Sequence, residues 1–296
     1  MLIALIIGLV VFTIGYVVVW YRLARQSGQS GRPGPLDIGI GFLANFFDTL
    51  GVGSFATTSS LFKLGNLVPD EEIPGTLNVG HTLPTITEAF IYMVLVQVDV
   101  LTLVALIVAA TLGAYLGAGI VSHWPRRKVQ IGMGSVLLAA AVLTAMRQLN
   151  WVPGGGMETG LTGAKLAIGI GGNFVLGALM TLGIGLFAPC MILIAMLGMN
   201  PITAFPIMMG SCAYLMPVGS ARFVRAGRYN LKSALGLAIG GIPGVLVAAY
   251  IVKSLPLKVV NWMVVVVVIY TAVMLLRSAH RERQRARLAS GTASAG

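Results

Sequence analysis

The sequence predicts an all-α polytopic membrane protein with an inverted-topology repeat, about seven transmembrane helices and two re-entrant broken-helix hairpins. Its composition excludes a water-soluble fold. Of the 296 residues, 57% are hydrophobic and only 10% are charged, and the mean hydropathy is +0.90; a soluble domain carries about 25% charged residues. Most basic residues also lie in clusters between long apolar runs, which is typical of the cytoplasmic loops of membrane proteins.

Seven apolar runs are long enough to cross a bilayer, which takes roughly 20 residues of α-helix. The first run has no basic segment before it and no small-residue cleavage site, and Arg22 and Arg25 follow it. It is therefore predicted to be an uncleaved helix with its N-terminus outside. The seven runs are 2–21, 75–97, 99–122, 128–149, 203–221, 233–253 and 257–277.

Two further apolar stretches, 36–62 and 164–200, are each interrupted by a pair of glycines two residues apart. Such glycines permit backbone turns that a continuous helix cannot make. At membrane depth these turns are tolerated only where protein or a cavity surrounds them. Both stretches are therefore predicted to be broken helices. The glycines are Gly51 and Gly53 in the first stretch and Gly183 and Gly185 in the second.

The distribution of basic residues favours re-entrant hairpins over full crossings for these two stretches. With two hairpins, sixteen of the 20 Lys and Arg fall on one side of the membrane; with two full crossings, fourteen do. The hairpin arrangement follows the positive-inside rule better and places the C-terminus and the basic tail at 279–296 in the cytoplasm, at an anionic membrane surface. The four residues left outside are Arg147, Lys165, Lys253 and Lys258.

An internal repeat relates the two halves of the chain. Residues 49–56 recur as residues 181–188 with six identities in eight positions. Each copy has one hairpin and three crossings. Because the number of crossings is odd, the second copy starts from the opposite side of the membrane and is inverted relative to the first. The predicted organisation is an N-terminal helix and loop at 1–35, a first repeat at 36–149, a loop at 150–163, a second repeat at 164–278 and the tail at 279–296.

The paired glycine motifs predict a substrate site, because inverted repeats with broken helices hold their substrates near the bilayer midplane. At each motif the chain enters a half-helix whose first backbone N–H groups have no partner in the helix and bind anions. Neither motif contains Lys or Arg. The candidate substrate-binding residues are Thr49, Gly51, Gly53, Ser54, Thr57, Asn78, His81, Thr181, Gly183, Gly185, Cys190 and Ser211.

Three ionisable residues expected at membrane depth are candidates for proton coupling. Asp48 immediately precedes Thr49, and Glu88 lies seven residues after His81 on the same face of a helix. An ionised side chain at that depth is costly unless it is paired or protonated. A structural role in a buried hydrogen-bond network is the alternative for each of them.

Metal, redox, enzymatic and nucleic-acid functions find little support in the sequence. The chain has three His, two Cys and nine acidic residues, and both cysteines lie in apolar segments that favour buried thiols. There is no His-Glu-x-x-His, and Ser54 has no plausible base nearby on its own segment. The net charge of +11 comes from the loop clusters. We therefore expect no cofactor, no metal, no catalysis and no nucleic-acid partner.

The chain resembles the sulfite exporter TauE/SafE family, also called the 4-toluene sulfonate uptake permeases. The likeness rests on the duplicated glycine-rich segment, 39–53 and 169–185, and on Ile-Pro-Gly-Thr-Leu-Asn-Val-Gly-His at 73–81, and it covers about 36–278. It implies a carrier, often an exporter, of sulfite or organosulfonates in the bacterial inner membrane. The expected partners are a small sulfur-containing anion and membrane lipid, with a homodimer left open.

An anion-selective channel with facing re-entrant half-helices is the alternative function, since such half-helices also line water and ion pores. A carrier saturates and shows counterflow, whereas a pore does not. The ionisable residues at membrane depth favour the carrier.

Overall fold

The computed structural model describes residues 2–26, 31–50, 53–151, 155–183, 186–200, 203–250 and 257–293. Its regular structure is helical, and within the described residues an isolated β-bridge joins Glu158 to Met199. The helices are α1 (Leu2–Gln26), α2 (Pro35–Thr49), α3 (Ser54–Gly65), α4 (Ile73–Leu95), α5 (Val100–Val121), α6 (Arg126–Gln148), α7 (Gly163–Met180), α8 (Phe187–Met196), α9 (Ala204–Arg225), α10 (Leu231–Tyr250) and α11 (Leu257–Ala293).

Within the described residues, six of these helices are long and apolar enough to cross a membrane, namely α1, α5, α6, α7, α9 and α10. The chain is therefore a multi-pass helical membrane protein, as its composition predicts. Five of the six match apolar runs predicted as spans. α6, for example, covers Arg126–Gln148 where the sequence predicts 128–149.

Two helices at predicted spans, α4 and α11, are not among the six found in the described residues, and α7, predicted as half of a hairpin, is one of the six by length and composition. α4 is less apolar because it carries a row of fully buried polar residues, including Asn78, His81 and Glu88, which face protein instead of lipid. α11 begins at the predicted position but continues as one helix of 37 residues through the basic tail to Ala293.

The chain breaks from one helix into the next at each glycine motif. Gly53, between α2 and α3, has φ +91°, and Gly183, between α7 and α8, has φ +94°; glycine adopts such angles without steric strain. α3 has 12 residues and α8 has 10, which at 1.5 Å per residue makes them about 18 and 15 Å long, roughly half the hydrocarbon thickness. The other two motif glycines, Gly51 and Gly185, lie outside the described residues.

Glycines allow two parallel pairs of helices, α2 with α10 and α7 with α5, to pack with their backbones in contact. A side chain at Gly240 in α10 would collide with the carbonyl oxygen of Ile38 in α2, and one at Gly113 in α5 would collide with that of Phe174 in α7. Small residues at helix interfaces permit this close approach in membrane proteins. The first half of each broken segment, α2 or α7, is thus packed directly against a neighbouring helix, α10 or α5.

The loops meet in two groups at opposite ends of the bundle. At one end, Lys232 Nζ lies 3.8 Å from Asp37 Oδ2, which ties the start of α10 to the start of α2. In the same region Asn230 N donates a hydrogen bond of 2.9 Å to Thr76 Oγ1 at the start of α4. The C-terminal ends of α5 and α9 also lie together here, where they line one cavity.

The opposite end holds the start of α5, the segment before α7 and the end of α8. Asp99 N donates to Thr159 O at 2.9 Å, and Gly156 N donates to Met199 O at 3.0 Å. The Asp99 carboxylate caps α5 by accepting hydrogen bonds from the backbone N–H and the hydroxyl of Thr102, both at 2.8 Å. These bonds hold the pKa of Asp99 below its usual value.

We expect Gly240→Ala to destabilise the protein by about 1–3 kcal/mol, because the new methyl group forces α2 and α10 apart. The thermal denaturation midpoint in detergent measures the effect. Gly39→Ala, in α2, is the matched control, since a Cβ there meets no atom within 4 Å. Equal midpoints for the two variants would contradict the close packing of α2 on α10.

Candidate functional site

A small cavity lies where the first glycine motif meets the start of α8. Its volume is ≈ 20 Å³, room for about one water molecule. The walls come from the junction of α2 and α3, from α4 and α9, from the last residue of α7 and from the residue before α8. The lining residues are Asp48, Gly53, Ser54, Phe55, Thr85, Glu88, Met180, Leu186, Met208, Met209 and Cys212.

Two carboxyl groups line this cavity, and each is hydrogen-bonded to a hydroxyl of the first glycine motif. Ser54 Oγ donates to Asp48 Oδ2 at 2.5 Å, and Thr49 Oγ1 donates to Glu88 Oε1 at 2.8 Å. The other oxygen of Glu88, Oε2, is buried without a hydrogen-bond partner among the described residues. Tyr92 OH donates to Thr49 O at 2.5 Å. These bonds hold the α2–α3 junction against α4.

The two half-helices α3 and α8 both begin at this cavity without a side-chain cap. The residue before α3 is Gly53 and the residue before α8 is Leu186; both line the cavity, and neither makes a side-chain capping bond. The first N–H groups of a helix lack intrahelical partners and carry partial positive charge. Pro189 is the third residue of α8, where its missing N–H removes no helical hydrogen bond.

His81 is fully buried beside the cavity but does not line it. Its Nδ1 lies 3.0 Å from Asn45 Oδ1, and its Nε2 lies 3.0 Å from Thr58 Oγ1. Asn45 Nδ2 donates to Gly41 O at 2.7 Å, so its Oδ1 is left to accept from His81 Nδ1. A neutral imidazole then accepts from the Thr58 hydroxyl at Nε2. The ring joins α2, α3 and α4.

Another buried amide contact joins Asn173 in α7 to Ser211 in α9. Asn173 Nδ2 donates to Ser211 Oγ at 3.1 Å and to Leu106 O at 2.7 Å. Ser211 is therefore buried in an interhelical bond between α7 and α9, outside the cavity lining.

The remaining predicted substrate residues lie close to the motifs but do not line the cavity. Thr57 Oγ1 donates to Gly53 O at 3.0 Å, and Thr181 Oγ1 donates to Ala178 O at 2.7 Å. Asn78 Nδ2 donates to Pro74 O at 2.8 Å, and Cys190 is fully buried in the core.

The second motif approaches the first through Gly183. A Cβ placed on Gly183 would lie 3.5 Å from Ser59 Oγ, a buried hydroxyl of α3 that has no hydrogen-bond partner among the described residues.

The cavity thus contains four of the predicted residues, Asp48, Gly53, Ser54 and Glu88. Sequence reasoning did not single out its apolar wall, which includes Met180, Met208 and Met209. The sequence around a methionine in an apolar helix does not indicate whether its side chain lines a cavity or packs in the core. Thr58 and Asn45, the partners of His81, were missed for a related reason, since they become neighbours of His81 only when α2, α3 and α4 pack together.

An ion-pair cluster anchors the far end of α3. Lys63 Nζ donates to both oxygens of Asp70 at 2.7 Å, and the two side chains are 9% and 5% exposed. Gln130 Nε2 donates to Asp70 Oδ2 at 2.9 Å. Arg126, which is half-exposed, lies 3.5 Å from the same oxygen. The cluster joins α3 to α6 and so fixes the half-helix whose other end forms the cavity.

We expect Asp70→Asn to lower stability strongly, by about 3–5 kcal/mol, because it leaves the Lys63 ammonium buried without its countercharge. Glu71→Gln is the matched control, since Glu71 is 27% exposed and its carboxylate lies 3.7 Å from Arg126. Thermal denaturation in detergent measures both variants. If Asp70→Asn were as stable as Glu71→Gln, the buried pair would not anchor α3.

The broken helices, the buried polar row of α4 and the cavity between the motifs describe a polytopic protein with a polar site inside the bundle. The chain matches the family model for the sulfite exporter TauE/SafE over residues 1–144 and 164–296. It therefore belongs to the TauE/SafE family of membrane transporters, and the resemblance found in its motifs is confirmed. Neither the curated proteins nor the solved structures give a significant match. The family match gives no support for a homodimer, which stays a prediction.

Proposed function

We propose that the two broken segments are re-entrant hairpins that enter the membrane from opposite faces. Two sets of contacts support this. The start of α2 and the start of α4 both approach the loop that joins α9 to α10, so the 36–62 stretch leaves from and returns to one end of the bundle. The segment before α7 and the end of α8 meet through Gly156 and Met199 at the end that holds the start of α5.

The inverted repeat, with copies at 36–149 and 164–278, agrees with the way the helices pack. If α2 to α6 correspond to α7 to α11 in order, then the contact of α2 with α10 has its counterpart in that of α7 with α5. In the same way α4 with α10 corresponds to α9 with α5, and α3 with α11 to α8 with α6. α1 has no counterpart.

Cysteine labelling tests the topology. We expect thiols introduced near Arg32 and near Glu71 to be inaccessible to a membrane-impermeant reagent added to intact cells, because both loops would be cytoplasmic. A thiol near Asn150 should react, since it lies at the far end of α6. Labelling near Glu71 but not near Arg32 would overturn the first hairpin and the inverted repeat with it.

We infer that the protein is a secondary transporter, and by its resemblance an exporter, of sulfite or a related sulfur-containing anion across the bacterial inner membrane, with a cytoplasmic C-terminus. The observation that carries this is the meeting of two half-helix starts at one internal cavity. Backbone N–H groups there would hold the anion. The family match supports the substrate class.

The size of the cavity favours a carrier over the alternative anion-selective channel. A volume of ≈ 20 Å³ holds about one water molecule, so a sulfite ion requires the walls to move apart. A transporter that alternates between two conformations makes such a movement in every cycle. Counterflow of labelled sulfite in proteoliposomes tests this: a carrier exchanges sulfite against sulfite and saturates, whereas flux that rises linearly with concentration would favour the channel.

We propose that the anion moves together with protons. Asp48 and Glu88 line the same cavity as the two half-helix starts. An ionised carboxylate about 5 Å from a bound anion would repel it by about 3 kcal/mol at an effective dielectric constant of 20. With both carboxyl groups protonated, the partial positive charge of the helix starts dominates. Proton binding and anion binding then favour each other, which couples their transport.

Glu88→Gln tests the coupling. We expect the variant to bind and exchange sulfite but to lose accumulation driven by a pH gradient, because a glutamine keeps the acceptor for Thr49 and cannot carry the proton. Flux into proteoliposomes with and without a pH gradient measures this. Glu72→Gln, which removes a carboxyl group at the end of the loop before α4, is the control. Gradient-driven accumulation by Glu88→Gln at the parental level would exclude Glu88 as the coupling group.

Gly53→Val tests the half-helix site. A Cβ at Gly53 meets no atom within 4 Å, but its φ of +91° disfavours a branched residue. We therefore expect the start of α3 to shift and sulfite binding to be lost. Gly227→Val is the matched control, with φ +64° and equally open surroundings beyond the end of α9. Cys190→Ala should have a milder effect than Gly53→Val, since the half-helix start persists. Parental sulfite affinity in a folded Gly53→Val protein would place the site elsewhere.

A further inference from the structure

A second polar cavity lies at the C-terminal ends of α5 and α9, away from the site between the glycine motifs. Its volume is ≈ 330 Å³, and it is lined by Tyr115, Ser122, His123, Arg222, Arg225 and Ala226. Two arginines, a histidine and a serine therefore face one space at the end of the bundle where the α9–α10 loop lies.

The two arginines bring uncompensated positive charge to this cavity. The Arg222 guanidinium carbon lies 3.9 Å from the centroid of the Tyr115 ring, a cation–π contact that orients the side chain. Arg225 is exposed. Among the ion pairs that the described residues form, none involves Arg222 or Arg225. The chemistry of the cavity therefore selects an anion with oxygen acceptors, such as a phosphate group.

An apolar groove continues directly from this cavity along α1 and α9. Its volume is ≈ 420 Å³, and it shares Tyr115, Arg222 and Arg225 with the polar cavity. Gly15 forms part of its floor, and a Cβ added there would meet no atom within 4 Å. Neighbouring wall residues such as Val11 are exposed on the outer surface of the bundle. The groove is thus an apolar channel on the membrane-facing surface, with two guanidinium groups at one end.

We propose that this surface binds one anionic phospholipid, with its phosphate between Arg222 and Arg225 and an acyl chain in the groove between α1 and α9. Charge and polarity both match this ligand. A phosphate satisfies the arginines, and an acyl chain covers apolar surface that no described part of the chain covers. Basic pockets between transmembrane helices are a recognised setting for anionic headgroups. The lipid would also join α1, which lies outside the repeat, to α9, whose Met208, Met209 and Cys212 line the transport cavity.

The test uses the delipidated full-length protein in a neutral detergent. Its thermal denaturation midpoint is followed during titration with dioctanoyl phosphatidylglycerol, dioctanoyl phosphatidylcholine or inorganic phosphate. We expect a saturable rise with phosphatidylglycerol, because a ligand bound by the folded state stabilises it. The other two should give no rise at the same concentrations. An equal rise with phosphatidylcholine would show that the negative charge of the lipid does not contribute to binding. An equal rise with phosphate would show a site for soluble anions. Either result overturns the proposal.

Amino-acid substitutions test where the lipid binds. Arg225→Gln should weaken the apparent affinity for phosphatidylglycerol about fivefold, and the double variant Arg222→Gln/Arg225→Gln should weaken it about thirtyfold. Arg127→Gln is the control, because Arg127 is an exposed arginine at the start of α6, and it should not change the affinity. Gly15→Phe should abolish the rise by filling the groove, whereas Gly171→Phe, at an equally open position of α7, should not. If the double variant does not fold, the exposed Arg225 alone supplies the charge test. Parental affinity in Arg225→Gln and Gly15→Phe would overturn the proposal.

Discussion

A polypeptide inside a bilayer has to satisfy its backbone N–H and C=O groups from within the protein, and this requirement governs the structure of the chain. A helix break is tolerated only where other helices enclose it. Here α4 and α9 cross beside the breaks, and the glycine-mediated pairs α2–α10 and α5–α7 pack with their backbones in contact. Thr49, Ser54 and Thr181, which flank the breaks, are accordingly buried. The first N–H groups of two half-helices then lie inside the protein, where we propose that they bind the anion.

The lining of the cavity between the glycine motifs combines two opposing electrostatic features. Among its lining residues there is no Lys or Arg, but there are two carboxyl groups and the starts of two half-helices. In the proposed mechanism the helix starts favour an anion and ionised carboxyl groups oppose it, so the number of protons on Asp48 and Glu88 would decide which effect dominates. The three methionines of the wall are flexible and polarisable, and such side chains can rearrange when the walls move apart around an ion.

The first helix, α1, interacts with the bundle mainly through α9 and, to a smaller extent, α4. Tyr16 OH donates to Val79 O at 3.3 Å, and the ring of Phe12 stacks on that of Tyr214 with 5.6 Å between centroids. Much of the remaining surface of α1 is exposed, as expected for a helix in contact with lipid. Because α9 lines both the cavity between the glycine motifs and the groove beside α1, a lipid held in that groove would lie against a helix of the proposed substrate site.

The sequence by itself determined the class of protein, the family, the approximate bounds of most helices and the positions of both helix breaks. Each of these depends on local composition. About 20 apolar residues make a span, and closely spaced glycines allow the helix to end and the chain to turn. Asp48 and Glu88 could also be identified, because ionisable residues are rare in apolar segments.

Only the tertiary structure decided which of these residues share a cavity. Asp48 and Glu88 are 40 positions apart, and Arg222 is far from Tyr115 along the chain, so no sequence pattern relates them. The same is true of the partners that hold His81 within a hydrogen-bond network, Asn45 and Thr58, and of the methionine wall. Helix packing is set by side-chain shape and backbone contact over many residues at once, and these long-range contacts leave no periodic signal in the sequence.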